Sequence, residues 1–342
     1  MNNIRMSMNV ETGSISPDDR PLLDLPSSSA VDMQLMKNRL KTATQSAKDR
    51  QWEYNHSFPH YLMHIPKTGG YNAYRKISST LSQSPQYNAL APQDRYRMVN
   101  IAEAPITKKS DLPISYGGTR CNMWMSEFQY YKLPLEMIPK YMYTIIRNPR
   151  HHVLSQYFHC TESNDRGARH KRAKRQTPMP ELDEWLTEWI LALDDPVRRW
   201  QNYKFRCYYP IDLQSTYVVD TKDYDADLGS IRHIQQKFTV IGPLDEMDKV
   251  LCVILIHYAG FLPDACNCSN GENKHKQRRR RLSDHGVIHH GSTYNTTSFQ
   301  DAMIEKLVAK DQILYDYSLK LFNVQLRLVE EYFNVTICDA IE

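Results

Sequence analysis

No stretch of this 342-residue chain reads as a membrane-spanning helix: the longest apolar run, Val250 to Leu262, is broken by His257 and Gly260 and falls short of the about twenty residues a bilayer requires. The N-terminus lacks the basic stretch and apolar core of a secretory leader. No internal repeat is visible. Net charge is only +4, so any affinity for polyanions must come from how the charge is distributed. The glycine and lysine pattern of a Walker A phosphate loop is missing. The seven cysteines, Cys121, Cys160, Cys207, Cys252, Cys266, Cys268 and Cys338, form no zinc framework, because Cys266-Asn267-Cys268 is too tight for a Cys-x2-Cys knuckle. No metal is expected. Their odd number leaves at least one thiol without a partner inside the chain. Between His64 and His151 there is no histidine.

What is present fits one large α/β domain. Hydrophobic residues make up 41% and charged residues 24%, enough to bury a substantial core. Residues 1–55 are polar and read as a flexible or loosely helical extension, with a folded helical cap over Val31 to Leu40 as the alternative. Residues 56–342 form the domain. Basic charge gathers in two places: Arg166, Arg169, Lys171, Arg172, Lys174 and Arg175, then Lys274, Lys276 and Arg278 to Arg281. Such clusters imply a polyanionic partner, although a solvated loop is the alternative for each.

Chemistry concentrates at two junctions. Tyr61 to Ile65 reads as a short buried strand, and Tyr71, Tyr74, Ile77 and Leu81 have helical spacing. Pro66-Lys67-Thr68-Gly69-Gly70 lies between them. Glycines there let an anion approach backbone N–H groups at a helix N-terminus, and Lys67 adds a cation. About eighty residues later, Tyr141 to Ile146 is an apolar strand that stops at Arg147-Asn148-Pro149-Arg150. A helix follows, carrying Ser155. Arginine offers a planar fork matched to phosphate and serine a short donor, so Arg147 and Ser155 can converge on one oxyanion.

These paired motifs resemble the two cofactor motifs of sulfotransferases, most closely the Golgi carbohydrate O-sulfotransferases that include the heparan sulfate 2-O and 6-O enzymes. The likeness runs over roughly residues 58 to 335 and is strong at the two motifs. It implies a P-loop-like sulfotransferase fold, doubly wound, with a mostly parallel sheet flanked by helices. It also implies 3'-phosphoadenosine-5'-phosphosulfate (PAPS) as co-substrate and a carbohydrate hydroxyl as acceptor. By position, Pro66, Lys67, Thr68, Gly69, Gly70 and Tyr71 would hold the 5'-phosphosulfate, and Arg147 and Ser155 the 3'-phosphate. Arg280 and Arg281 could close over that phosphate or meet a sulfated glycan. Lys67 would be catalytic, stabilising the leaving group. The chain has Tyr71-Asn72 where the family loop often continues Thr-Ser, which removes side-chain hydroxyls from the cradle.

A family base is a histidine or glutamate between the motifs; here the nearby carboxylates are Glu127 and Glu103, and Glu127 is the candidate. His151 and His152 are rivals, although helix-start residues beside an anion describe them as well. His64 is expected to pack under the cradle. The resemblance and the sequons at Asn55, Asn267, Asn295 and Asn334 point to the Golgi lumen or secretory pathway, while the lack of a visible tether leaves a soluble intracellular enzyme open. A catalytically inactive protein that binds heparin-like glycans or nucleic acid, and a nucleotide kinase, are the competing readings. Nucleic acid is not the expected partner. Further strands are expected at Thr216 to Val219 and Phe238 to Ile241, with helices over Leu182 to Leu193, Leu228 to Lys237 and Asp245 to Tyr258.

Overall fold

The computed structural model describes residues 30–44, 60–89, 96–102, 115–116, 119–127, 129, 139–163, 173, 178–205, 207–219, 234, 236–268 and 293–338. Five parallel strands form the sheet. They are β1 (His60–Met63), β2 (Tyr96–Ala102), β4 (Thr119–Ser126), β5 (Tyr141–Ile146) and β6 (Val240–Pro243), in the order β2-β4-β1-β5-β6; β3 (Ser115–Tyr116) pairs antiparallel with the start of β4. From β1 the chain crosses to β2 on one side, and from β5 to β6 on the other. The winding therefore reverses between β1 and β5, and in open parallel sheets ligands bind beyond the strand C-termini at such a switch point.

In β1, β5, β6 and Met123–Ser126 of β4, side chains alternate and are buried on both faces, as a sheet covered by helices on each side requires. Leu62, Met123, Met125, Tyr143, Ile145 and Val240 point to one face. There they meet Ala73 and Ile77 of α2 (Gly70–Gln83), which is followed by the short α3 (Pro85–Asn88), and the helix Met247–Ala259. Tyr61, Met63, Trp124, Met142, Ile146 and Ile241 point to the other, covered by the long C-terminal helix and by Met36 of α1 (Ala30–Thr44). A third apolar cluster joins α4 (Pro149–Glu162), α5 (Leu182–Leu191) and, through Met303, Ile304 and Leu307, α9 (Ser298–Leu307), around Trp185 and Trp189.

The remaining helices are α6 (Pro196–Gln201), α7 (Leu213–Val218), α8 (Met247–Ala259) and α10 (Ala309–Phe333). Helix α1 lies inside the segment read as an extension and is docked: Met36 and Leu40 are buried, and Arg39 donates to Phe238 O at 3.1 Å and Gln236 O at 2.6 Å. Disulfides join Cys160 to Cys207, Cys252 to Cys266 and Cys268 to Cys338, so the tight Cys266-Asn267-Cys268 pair serves two different bridges. No helix among the described residues is long and apolar enough to cross a membrane, and no group of metal-ligating side chains is found among them.

Two local expectations are corrected. Thr216 to Val219, expected as a strand, belongs largely to helix α7. Its β-branched residues favour a strand locally, but Asp311 accepts the N–H groups of Gln214 and Ser215 at 3.2 and 2.7 Å and nucleates a helix instead. The strand expected over Phe238 to Ile241 is shifted to Val240–Pro243. Pro243 is tolerated because β6 is an edge strand. A Cβ on Gly242 would lie 2.3 Å from Val250 Cγ2, so glycine is what lets α8 pack this close to β6.

Candidate anion-binding site

Strand β1 hands directly into the loop 64–69. His64 N–H donates to Ser126 O at 2.8 Å, which prolongs the β1–β4 pairing by one residue. The chain then turns over Ile65 to Thr68, and both the Thr68 N–H (3.3 Å) and its hydroxyl (2.9 Å) donate to Ile65 O. Lys67 at φ 68° and Gly69 at φ 80° are left-handed, and Gly69 is the N-cap of α2. Left-handed geometry costs a lysine about 1–2 kcal/mol. Left-handed backbone placed just before a helix N-terminus is an arrangement able to bind anions.

Strand β5 runs parallel to β1, with Thr144 opposite Met63 and its hydroxyl donating to Met63 O at 2.9 Å. This register carries Arg147 to the level of the loop. Its Nη1 donates to Lys67 O at 3.2 Å. Asn148 caps α4 by accepting His151 N–H at 3.2 Å, and Pro149 occupies the first turn, where its missing N–H costs nothing. From the next turn, buried His152 reaches under the loop: Nε2 lies 2.7 Å from Pro66 O and Nδ1 3.2 Å from Gln156 Nε2. These partners assign the tautomer, with Nε2–H donating to the carbonyl and Nδ1 accepting from the amide.

Electrostatics separate cations from neutral rings. Burial lowers Arg147 to about 10, opposed by Asp245, so the guanidinium stays charged at neutral pH. Burial, then Lys67, pushes His64 down to about 4. Burial likewise takes His152 to about 3, with the charges of Arg147 and Lys67 adding to it. His151, half-buried, is lowered by burial and then by Arg147. Among the described residues, Lys67 and Arg147 are the cations whose charges bear on the buried His152 ring, and Lys67 bears on His64 as well.

Glu127 follows the last residue of β4, and one of its oxygens lies 3.4 Å from His64 Nδ1. With the imidazole neutral, this contact is an N–H facing a carboxylate rather than an ion pair. On its other side the His64 ring faces Gly70: a Cβ there would sit 2.1 Å from His64 Cδ2.

The structure brings together Pro66, Lys67, Thr68, Gly69, Gly70 and Arg147 and places Glu127 on the same sheet edge. Ser155 is half-buried and shares a face of α4 with His151, one turn further on. Thr68 is buried and its hydroxyl proton is held by Ile65 O, so its side chain builds the loop. Buried under Pro66, His152 is a strap for the loop rather than a base. Tyr71 lies in the first turn of α2, but its side chain, like Arg280, Arg281, Glu103 and the cluster 166–175 apart from Ala173, lies outside the described residues. Arg150 turns away, donating to Asp301 Oδ1 at 2.7 Å and Tyr294 O at 3.3 Å.

Sequence reasoning missed the residues that brace Arg147. Its N–H donates to Gln214 Oε1 at 2.7 Å, and Gln214 Nε2 donates to its carbonyl at 2.9 Å. Asp245, which faces Arg147 electrostatically, accepts from Tyr315 Oη at 2.8 Å. No local pattern signals these contacts.

The neutral histidines carry a pH prediction. His64, His152 and His257 sit at about 4, 3 and 4 against an ordinary 6.5. As pH falls through 6.5 the unfolded chain takes up protons that the folded protein refuses until about 4 or 3. The contribution of these rings is therefore complete above pH 6.5 and is lost toward acid. Asp311, pushed up to about 7 by burial and then by Asp212, has the opposite sign: its contribution is complete below 3.8 and is lost as pH rises through about 7. Stability should fall between pH 6.5 and 4 by up to about 1.4 kcal/mol per pH unit for each histidine. Thermal melts across this range check it: His257→Gln, remote from the site, should flatten the dependence, and an unchanged slope would contradict the assignment.

Compared with known proteins, the chain matches no family model, no curated protein and no solved structure.

Proposed function

We propose that this protein is a PAPS-dependent O-sulfotransferase acting on a carbohydrate hydroxyl, built on a P-loop-like sulfotransferase fold. One observation carries the reading: the Arg147 guanidinium donates to the carbonyl of Lys67 at 3.2 Å. The two motifs, about eighty residues apart, are therefore one site. Its left-handed loop and helix N-terminus suit one phosphate, and Arg147 with Ser155 beyond it suit a second. When bound, PAPS supplies the sulfuryl group. Lys67 neutralises the charge that gathers on the leaving phosphate oxygen. Glu127 takes the proton of the acceptor hydroxyl, with the neutral His64 N–H orienting its carboxylate.

The compartment that fits is the secretory lumen. Three disulfides require an oxidising environment in ordinary cells, and the sequon residue Asn295 is exposed.

Thermal melts with adenosine 3',5'-bisphosphate test the reading. At about one hundred times Kd the ligand should stabilise the fold by about 2.7 kcal/mol. No upward shift at saturating ligand would sink the proposal. Transfer of labelled sulfate from PAPS to a panel of glycans then separates an enzyme from a non-catalytic binder.

A further inference from the structure

Gln214 occupies an unusual place at the end of β5. Within the sheet, Ile146 is paired with Pro243, which has no N–H to offer, so the ladder of β5 ends there. One residue on, the side-chain amide of Gln214 takes over the pairing. It accepts Arg147 N–H at 2.7 Å and donates to Arg147 O at 2.9 Å, closing a ring on the backbone of one residue. Gln214 is 1% exposed, so both bonds are made away from water.

What holds Gln214 is independent of its side chain. Asp311 Oδ2 accepts Gln214 N–H at 3.2 Å and Asp311 Oδ1 accepts Ser215 N–H at 2.7 Å, while Asp212 Oδ1 accepts the N–H groups of Lys310 and Asp311 at 2.8 and 3.1 Å. Each aspartate thus caps the helix that carries the other, and Asp212 N–H adds a bond to Leu307 O at 3.0 Å. This clasp anchors α7 to α10 through backbone groups.

We infer that Gln214 is a positioning residue for Arg147: by fixing both backbone groups of Arg147 it sets the direction of the guanidinium, and with it the preference for nucleotides that carry a 3'-phosphate. The inference rests on the proposed function for the identity of the ligand and goes beyond it by assigning selectivity to a residue that touches no ligand. A glutamine that merely filled two buried hydrogen bonds would support every nucleotide equally. A positioning glutamine supports only the phosphate that Arg147 reaches.

The test is calorimetric titration of the whole chain with adenosine 3',5'-bisphosphate and with adenosine 5'-monophosphate. Gln214→Leu removes both bonds; Gln214→Glu keeps an acceptor for Arg147 N–H and sets oxygen against oxygen at Arg147 O. Both leave the Asp311 clasp in place, so both should fold. Gln214→Leu should weaken the bisphosphate by about tenfold to a hundredfold, the scale of a misplaced binding group, and leave the monophosphate unchanged, with Gln214→Glu between it and wild type. Equal losses for both nucleotides, or an unchanged ratio of affinities, would overturn the inference. If wild type shows no preference for the bisphosphate, the proposed function fails instead. Positioning is then decided by a crystal structure of Gln214→Leu, in which retention of the Arg147–Lys67 carbonyl contact would refute it and its loss would uphold it.

Discussion

Lys67→Ala should lower kcat by about two to three orders of magnitude, on the order of 3–4 kcal/mol of transition-state stabilisation, while the affinity for adenosine 3',5'-bisphosphate changes by roughly tenfold or less. The asymmetry follows from placement. Under the proposed function the ground-state anion would be held by the left-handed loop, by the α2 N-terminus and by Arg147, none of which the substitution deletes. Lys67 contributes most where negative charge grows on the leaving oxygen, and an interaction strengthened only there appears in kcat. The left-handed backbone at residue 67 accepts alanine at a cost similar to that of lysine, because both carry a Cβ. Single-turnover transfer alongside equilibrium titration is the measurement. Equal losses in rate and affinity would mean that Lys67 only binds.

Gly70→Ala should be the most damaging single-methyl change in the site. The added carbon would lie 2.1 Å from His64 Cδ2, 2.4 Å from Cγ and 2.8 Å from Nε2. A ring cannot yield by a few tenths of an ångström there; it has to swing away and leave Glu127. Overpacking of this kind costs about 1–3 kcal/mol, and loss of the oriented carboxylate should lower kcat by at least about tenfold. The double variant His64→Ala/Gly70→Ala isolates the cause. If the ring is the obstacle, Gly70→Ala costs little stability once His64 is alanine, a strong non-additivity expected of touching residues. An undiminished penalty in the His64→Ala background would show that the backbone at residue 70 is what fails.

How much of this was legible in the sequence depends on the distance over which each contact acts. The loop around Lys67 and the end of β5 at Arg147 could be read because strand, punctuating glycine or proline, and helix follow one another along the chain. Their meeting was legible too, since strands that alternate with helices bring their C-termini to one edge. Gln214 was not. It is 67 residues from Arg147, and its own anchor, Asp311, lies 97 residues further on. Worse, the β-branched run Thr216 to Val219 pointed locally to a strand, and only the distant aspartate makes α7 a helix. His64 facing Glu127 stayed hidden for a related reason: it depends on β4 lying beside β1, and Arg120 and Asn122 interrupt the apolar pattern that would have marked β4.

The mutual capping of α7 and α10 also orders events during synthesis. β1, β5 and the loops carrying Lys67 and Arg147 are made long before Asp311, and a domain folds as a unit only once its last elements have emerged. A nascent chain that already contains Lys67 and Arg147 still lacks the aspartate that turns Thr216 to Val219 away from strand formation and seats Gln214 against Arg147. Nucleotide affinity should therefore be acquired late, only once the helix beginning at Ala309 has emerged and docked.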